Sequence, residues 1–237
     1  MCGRLARTST TQAIVREFGV EQGDLPEIAP SYNAAPSQLV AAIVDDGRRR
    51  LVRCRWGFIP HWAKDAATAH KSINARAGSV AEKPTFSAAF KRHRCLVAAD
   101  GFYEWRRTPA ANGPAANGPA AKTPVYIRLK SGKPFGFAGL YSMWTNEDGS
   151  MLLTCTIITT EANALVGKIH DRMAVIIHKG DYGLWLGPGV DKNALLGLLR
   201  PYPDDEMEAY DVSVMVNSPK NDSPECIKPL LNLNTVS

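Results

Sequence analysis

Cysteines are few in this sequence, and none lies close to another. The five cysteines occupy positions 2, 54, 95, 155 and 226 and form no Cys-x-x-Cys pair. This spacing argues against a disulfide framework and against a zinc cluster. The histidines also lack the spacing of metal ligands, so we expect neither a metal nor another cofactor. Three of the cysteines lie in apolar, strand-like segments and are predicted to be buried, inert thiols.

Long apolar runs are also missing. No stretch is long enough to span a membrane, and the N-terminus has no hydrophobic signal region. These absences predict a soluble cytoplasmic protein with no membrane partner. Lys plus Arg number 28 against 23 Asp plus Glu, giving a net charge of +5. That excess is compatible with a nucleic-acid partner but does not identify one.

The first four residues, Met1 to Arg4, carry the most distinctive chemistry. Because Cys2 is small, we expect Met1 to be removed, which leaves an N-terminal cysteine with a free α-amine. Such a residue combines an amine of pKa about 7.7–8.0 with a thiol near 8.5, and a basic environment would lower the thiol further. An aldehyde reacts with the amine to give a Schiff base, on which the thiol can close to form a thiazolidine. The alternative is that Cys2 is an ordinary residue near a frayed terminus.

The hydrophobic pattern predicts many strands among short helices. A helix is predicted over 9–18, with Ser9 or Thr10 as its N-cap and Gly19 as the residue that ends it. Asp45-Asp46-Gly47 is predicted to join two strands in a hairpin. Residues 20–37 are expected to be irregular. The strands are predicted at 38–44, 50–56, 94–98, 124–129, 135–141, 152–159 and 209–216. The other helices are predicted at 86–92, 161–166, 181–186 and 191–199.

No βαβ repeat is present, so these elements predict one α+β domain over residues 1–237. Its core would be a mixed or barrel-like sheet with short peripheral helices. Residues 109–121 contain a tandem Ala-Ala-Asn-Gly-Pro repeat, which predicts a flexible low-complexity loop without an assigned function.

Several polar and aromatic residues stand in unusual surroundings. Glu104 lies among aromatic residues, where burial would raise its pKa and suit it to acid–base chemistry; it could also be a carboxylate that faces water or pairs with arginine. Asn74 could be catalytic or could cap a turn. His170 could titrate in a site or be structural. Trp56 and Trp105 could stack on bases or belong to the core.

Taken together, motifs along nearly the whole chain resemble those of the SRAP family, the SOS-response-associated peptidase proteins. These motifs occur in the family's order from residue 2 to about 229. They are Cys2-Gly3-Arg4, Tyr32-Asn33-Ala34-Ala35-Pro36, Arg55-Trp56-Gly57 with Pro60 and Trp62, Asn74-Ala75-Arg76-Ala77, Arg94-Cys95-Leu96-Val97, Gly101-Phe102-Tyr103-Glu104-Trp105, Ala138-Gly139-Leu140-Tyr141 with Trp144, Thr159-Thr160-Glu161-Ala162-Asn163, Ile169-His170-Asp171-Arg172-Met173 and Val216-Asn217-Ser218-Pro219.

The resemblance implies a sensor of abasic sites in single-stranded DNA, including junctions with duplex, that crosslinks itself to the lesion as a monomer. It also implies autoproteolytic removal of Met1 and a lyase side reaction. The implied catalytic residues are Cys2, Asn74, Glu104 and His170. The implied DNA-binding residues are Arg4, Arg76 and Arg172 at phosphates and Asn33, Pro36 and Trp105 along the channel, with Trp56 and Trp62 as weaker candidates.

Two positions depart from the family pattern. Gly78 stands where the family commonly has Glu, and Ala174 stands where it usually has Pro. Both could change how firmly Asn74 and His170 are held.

Other classes of protein share single features of this sequence. Met-Cys-Gly also opens class II glutamine amidotransferases, although their glutamine-binding and oxyanion motifs are not found here. A non-covalent single-strand-binding module would not need Cys2. A protease acting on other proteins is disfavoured, because Cys2 lacks an evident histidine partner in the sequence.

Overall fold

The structure is a computed structural model that describes residues 2–21, 26–66, 69, 72–107 and 122–230. The predicted 109–121 loop therefore lies outside the described residues. The described strands are β1 (Leu5–Arg7), β2 (Ser31–Ala34), β3 (Leu39–Asp45), β4 (Arg49–Trp56), β5 (Asn74–Arg76), β6 (Arg94–Ala99), β7 (Gly101–Arg107), β8 (Lys122–Leu129), β9 (Phe135–Thr145), β10 (Met151–Glu161), β11 (Arg172–Ala174), β12 (Ile176–Ile177) and β13 (Met207–Asp211). The α-helices are α1 (Thr11–Phe18), α2 (Pro84–Arg92), α3 (Tyr182–Leu186) and α4 (Lys192–Gly197).

Five strands close into a barrel. β3 pairs antiparallel with β4 and β6, β6 pairs antiparallel with β9, and β9 pairs antiparallel with β10. β10 completes the ring by pairing in parallel with β4. The ring is therefore mixed, which confirms the predicted α+β fold with a barrel-like core.

Two short strands continue the barrel along the far end of β10. After β4 ends, β5 takes its place in parallel beside β10, with Asn74 opposite Ile157 and Arg76 opposite Thr159. On the other side of β10, β11 follows β9 in antiparallel pairing. This end of β10 therefore carries Asn74 and Arg76 on one flank and Arg172 on the other.

A second sheet of five antiparallel strands, in the order β13-β8-β7-β1-β2, packs against the barrel. The shared core contains Leu5 and Phe102 from this sheet and Cys54 and Phe137 from the barrel. The rings of Phe102 and Phe137 lie 5.6 Å apart. Because β1 lies between β7 and β2, the N-terminal residues run into the interior of the molecule.

The outer face of the barrel is covered by α1, α2 and α3, whose apolar residues form a second core. The predicted ends of α1 are confirmed: the Thr10 hydroxyl accepts from the backbone N–H of Ala13, and Gly19 ends the helix with a φ of 62°. Cys54, Cys95 and Cys155 are buried free thiols, as predicted.

Three secondary-structure predictions were wrong in part. Residues 20–37 are not wholly irregular, because 31–34 form β2 by pairing with β1. The helix expected over 161–166 is absent: β10 runs on to Glu161, and a 3-10 helix begins only at Val166, whose N–H is held by the Asn163 side chain. The strand expected over 209–216 ends at Asp211, because the Ser213 side chain caps a 3-10 helix that follows.

Candidate active site

Cys2 lies at the entrance to β1, fully buried between the second sheet and the barrel. The chain is held there on both sides. The carbonyl of Arg4 accepts from the N–H of Tyr103, 3.0 Å away on β7. The carbonyl of Cys2 itself accepts from the side-chain amide of Asn74, with 2.8 Å between the two atoms. β5 thus holds the backbone at residue 2, and β7 holds it at residue 4.

Glu104 projects from β7 into the same interior and is only 3% exposed. Burial raises the pKa of its carboxyl group, while the nearby charge of His170 acts in the opposite direction. The raised pKa predicted from its aromatic neighbours is therefore confirmed in direction. A carboxyl group in such surroundings suits proton transfer.

The pKa of the Cys2 thiol shifts in the direction opposite to the one expected for a basic environment. Burial raises the pKa of this thiol well above its ordinary range, and the negative charge of Glu104 raises it further. The expectation that a basic environment lowers it was wrong, because burial excludes water from the thiol and the charge of Glu104 acts in the same direction. The thiol therefore stays protonated until a base removes its proton.

His170 lies on the loop between the 3-10 helix at 166–168 and β11. Its backbone N–H donates to the carbonyl of Val166, 2.9 Å away. Its Nδ1 accepts from the N–H of Arg172 at 3.0 Å, and lies 2.8 Å from a carboxylate oxygen of Asp171. Nδ1 thus lies within hydrogen-bond distance of both a backbone N–H and a carboxylate oxygen. The charges of His170 and Asp171 both act on the pKa of Glu104, so this loop lies beside the buried carboxyl group.

Two guanidinium groups flank the far end of β10. Arg172 donates through Nη2 to the carbonyl oxygen and the hydroxyl of Thr159, at 2.7 and 2.6 Å. Arg76 stands exposed on β5, opposite Thr159. Burial lowers the pKa of Arg172, and the like charge of Arg76 lowers it further. Neither arginine forms an ion pair with another residue in the described part of the chain.

Arg4 and Asn33 are both buried, and their hydrogen bonds connect parts of the chain that are distant in sequence. Nη1 of Arg4 donates to the Asn33 side-chain oxygen and to the carbonyl of Val216, each at 2.6 Å. The Asn33 amide donates to three carbonyls of the same segment, those of Val216, Ser218 and Asn221. These bonds hold the 214–221 segment against the N-terminal residues.

Trp105 joins this arrangement from the end of β7. Its indole N–H donates to the side-chain oxygen of Asn217 at 2.7 Å, and the Arg4 guanidinium carbon lies 5.7 Å from the centre of its ring. The ring is half-buried, so part of it faces solvent. Asn217 was missed as a candidate, although it stands in the quoted Val216-Asn217-Ser218-Pro219 motif.

The remaining aromatic candidates lie elsewhere. Trp56 is fully buried and donates to the carbonyl of Ile73, so the suggestion that it lines a DNA surface was wrong. Trp62 is 60% exposed and lines a different pocket of about 510 Å³, together with His93 and Tyr141. Pro36 is half-buried in the turn between β2 and β3.

Neither a metal-binding cluster nor a membrane-spanning helix is present in the part of the chain described above. No group of three or more His, Cys, Asp or Glu side chains in it could hold a metal ion. None of its helices has the length and apolar character needed to cross a membrane.

Comparison with known proteins identifies the family. The model of the SOS response associated peptidase (SRAP) family matches residues 1–219, so the chain belongs to the SRAP family. The chain is 47% identical over 232 residues to "Abasic site processing protein YoqW" of Bacillus subtilis, covering 96% of this chain and 99% of that protein. It is 30% identical over 243 residues to "Abasic site processing protein HMCES" of Xenopus tropicalis, covering 88% and 69%. A crystal structure of a protein from Bacteroides thetaiotaomicron matches with a TM-score of 0.82 at 26% identity, covering 97% of this chain and 100% of the other.

Proposed function

We propose that this chain processes abasic sites in single-stranded DNA by coupling itself to the opened sugar through Cys2. The observation that carries the proposal is the bond from Asn74 to the buried Cys2, whose thiol is also reached by the charge of Glu104. Arg76 and Arg172 lie at the adjoining end of β10. The names of the relatives YoqW and HMCES, both abasic site processing proteins, point to the same substrate.

The chemistry needs two nucleophiles on one residue. Hydrolysis of the Met1–Cys2 bond, which the protein would perform on itself, releases the α-amine of Cys2. This amine adds to the C1′ aldehyde of the abasic sugar and expels water to give an imine. The thiol then adds across the imine, sulfur to carbon and proton to nitrogen, which closes a thiazolidine without any redox change. An aldehyde and a free amine require no metal or cofactor.

Asn74 would orient the N-terminus for attack. Its amide already holds the carbonyl of Cys2, and its side-chain oxygen is buried without a hydrogen-bond donor among the described residues. That oxygen is available to accept from the liberated amine. Holding a nucleophile in one orientation can supply a large share of a rate acceleration.

Glu104 would transfer protons during imine formation and ring closure. Because burial keeps the Cys2 thiol protonated, closure needs a base next to the sulfur. Glu104 is a carboxyl group close enough for its charge to act on that thiol, and its own raised pKa favours both accepting and returning a proton.

His170 would act on the opened sugar. If the imine persists, removal of a C2′ proton allows the C3′–O bond to break with loss of the 3′ phosphate, which is the lyase reaction. Nδ1 lies 2.8 Å from an Asp171 carboxylate oxygen, so an imidazole that donates from Nδ1–H to Asp171 has its lone pair on Nε2, which can take the C2′ proton.

The path of the DNA backbone would be set by arginine side chains. Arg76 and Arg172 would bind phosphates next to the lesion. Trp105 would stack where single strand meets duplex, with Asn33 and Pro36 along the same channel. Arg4 would act at a phosphate or, as its contacts with Asn33 and Val216 suggest, by holding the channel wall.

The test is the intact mass of the purified protein before and after mixing with single-stranded DNA that bears one abasic site. We expect loss of Met1 and a heat-resistant adduct of protein plus DNA. Cys2→Ala should form no heat-resistant adduct. A protein that lacks Met1 yet forms no adduct would contradict the proposal and favour the amidotransferase or simple binding alternatives; a glutaminase assay separates those two.

A further inference from the structure

A second pocket opens directly beside Arg172. It has a volume of about 470 Å³, enough to receive a small planar group. We name it the Gly78 pocket, and the residues that line it are Ala77, Gly78, Thr159, Thr160, Glu161, Arg172, Leu196 and Leu199.

The Gly78 pocket follows the candidate active site along the same two strands. Asn74 and Ile157 are opposite each other, and the lining begins two residues further on β10, at Thr159. Two residues of strand span about 7 Å. A DNA strand whose abasic sugar lies at Cys2 would therefore bring a neighbouring nucleotide to this pocket.

Gly78 contributes only backbone to the lining of the pocket. A Cβ built at this position meets no atom within 4 Å, so any side chain here would project into unoccupied space. The residue lies in a 3-10 helix, Ala77–Ser79, and its backbone is not in the left-handed region, so other residues fit without strain. The absence of a side chain is thus a feature of the pocket and not a requirement of the backbone.

The lining suits a nucleobase better than a phosphate. Leu196 and Leu199 contribute an apolar surface, while the carboxylate of Glu161 would repel an anion. Arg172 brings its guanidinium to the pocket, with Nη2 held by the carbonyl oxygen and hydroxyl of Thr159. A planar group could pack its apolar face on the two leucines, while donors and acceptors on its edge form hydrogen bonds with Glu161 and Arg172.

We propose that the Gly78 pocket binds the unstacked base of a nucleotide adjacent to the abasic site, and that guanine is bound best. This inference rests on the proposed function. Guanine presents two adjacent donors, N1–H and the 2-amino group, which match the two oxygens of Glu161. Its O6 can accept from the guanidinium of Arg172. No other base offers that pair of donors to a carboxylate.

The experiment compares single-turnover crosslinking rates on oligonucleotides in which the nucleotide on either side of the abasic site is guanine, adenine, cytosine or thymine. Inosine, which lacks the 2-amino group, replaces guanine in a further substrate. The variants are Gly78→Leu and Glu161→Gln. The matched control is Gly180→Leu, because Gly180 is also the middle residue of a three-residue 3-10 helix and also has open space at its Cβ. Thermal unfolding checks that each variant is folded.

On one side of the lesion, guanine should give a rate about tenfold above thymine, as expected for a bidentate base contact. Replacing guanine by inosine should reduce this preference to about twofold or less, and so should the variants Gly78→Leu and Glu161→Gln. The control Gly180→Leu should keep the preference. The rate of Gly78→Leu on the thymine substrate should stay near that of wild type. Equal rates for all four bases, or a preference that survives in Gly78→Leu, would overturn the pocket proposal alone. Failure of every substrate to form an adduct would instead overturn the proposed function and, with it, this inference.

Discussion

The side chain of Asn74 donates a hydrogen bond to the main-chain carbonyl of Cys2, a residue 72 positions away in the sequence, at 2.8 Å. The bond exists because β5 pairs in parallel with β10, while β1 is held by β7 of the other sheet. It ties the residue that would carry both nucleophiles to the edge of the barrel. The two sheets meet at the candidate site through this contact.

Replacing Asn74 by Ala should slow crosslinking on the order of tenfold or more, because the N-terminus loses the bond that orients it. Single-turnover rates of adduct formation on abasic single-stranded DNA measure the effect. Asn193→Ala is the control, since Asn193 is an exposed residue of α4. A folded Asn74→Ala protein with an unchanged rate would remove Asn74 from the mechanism.

Glu104 gives a prediction about stability and pH. Its pKa in the folded chain lies above the ordinary value of 4.5, so in the window between the two values the folded chain holds a proton that the unfolded chain has lost. Wild-type stability should therefore fall as pH rises through this window. Glu104→Gln lacks that loss, so its Tm relative to wild type should increase with pH and then level off.

The measurement is Tm between about pH 4 and pH 8 for wild type and Glu104→Gln. Glu82→Gln serves as the control because the Glu82 side chain is 79% exposed. A difference in Tm that does not change with pH would show that Glu104 is not perturbed by burial. The same variant should lower the crosslinking rate by roughly a hundredfold or more, the usual contribution of a general acid or base.

Arg76 should make binding dependent on salt. If it contacts one phosphate, Arg76→Gln should reduce the slope of log affinity against log salt concentration by about 0.7, as expected for a single strand. Fluorescence anisotropy at several salt concentrations gives the slope. Arg53→Gln, an exposed arginine on β4, is the matched control and should leave the slope unchanged. An equal slope in wild type and Arg76→Gln would exclude Arg76 from phosphate binding.

Local signals in the sequence predicted local structure well. The cap at Thr10 and the stop at Gly19 fixed α1, and the Asp-Asp-Gly turn fixed the hairpin of β3 and β4. The aromatic neighbours of Glu104 indicated its burial, because both faces of β7 are covered from Gly101 to Glu104. Each of these depends on residues only a few positions apart.

What the sequence did not predict depends on distant contacts. The burial of Arg4 and Asn33 follows from their bonds to carbonyls at 216–221, which no local pattern reports. The raised pKa of the Cys2 thiol arises because β1 is threaded between β7 and β2, next to Glu104. The short β2 was missed because its pairing with β1 outweighs the irregular composition around it.

The central claim is that residue 2 supplies both an amine and a thiol to one aldehyde. Cys2→Ser tests it most directly, because it keeps the N-terminal amine and removes the thiol. With abasic single-stranded DNA, this variant should be trapped covalently when borohydride reduces the imine, yet should give no heat-resistant adduct without reductant, whereas wild type gives one without reductant. A heat-resistant adduct of Cys2→Ser without borohydride, or the absence of any trapped imine, would contradict the mechanism.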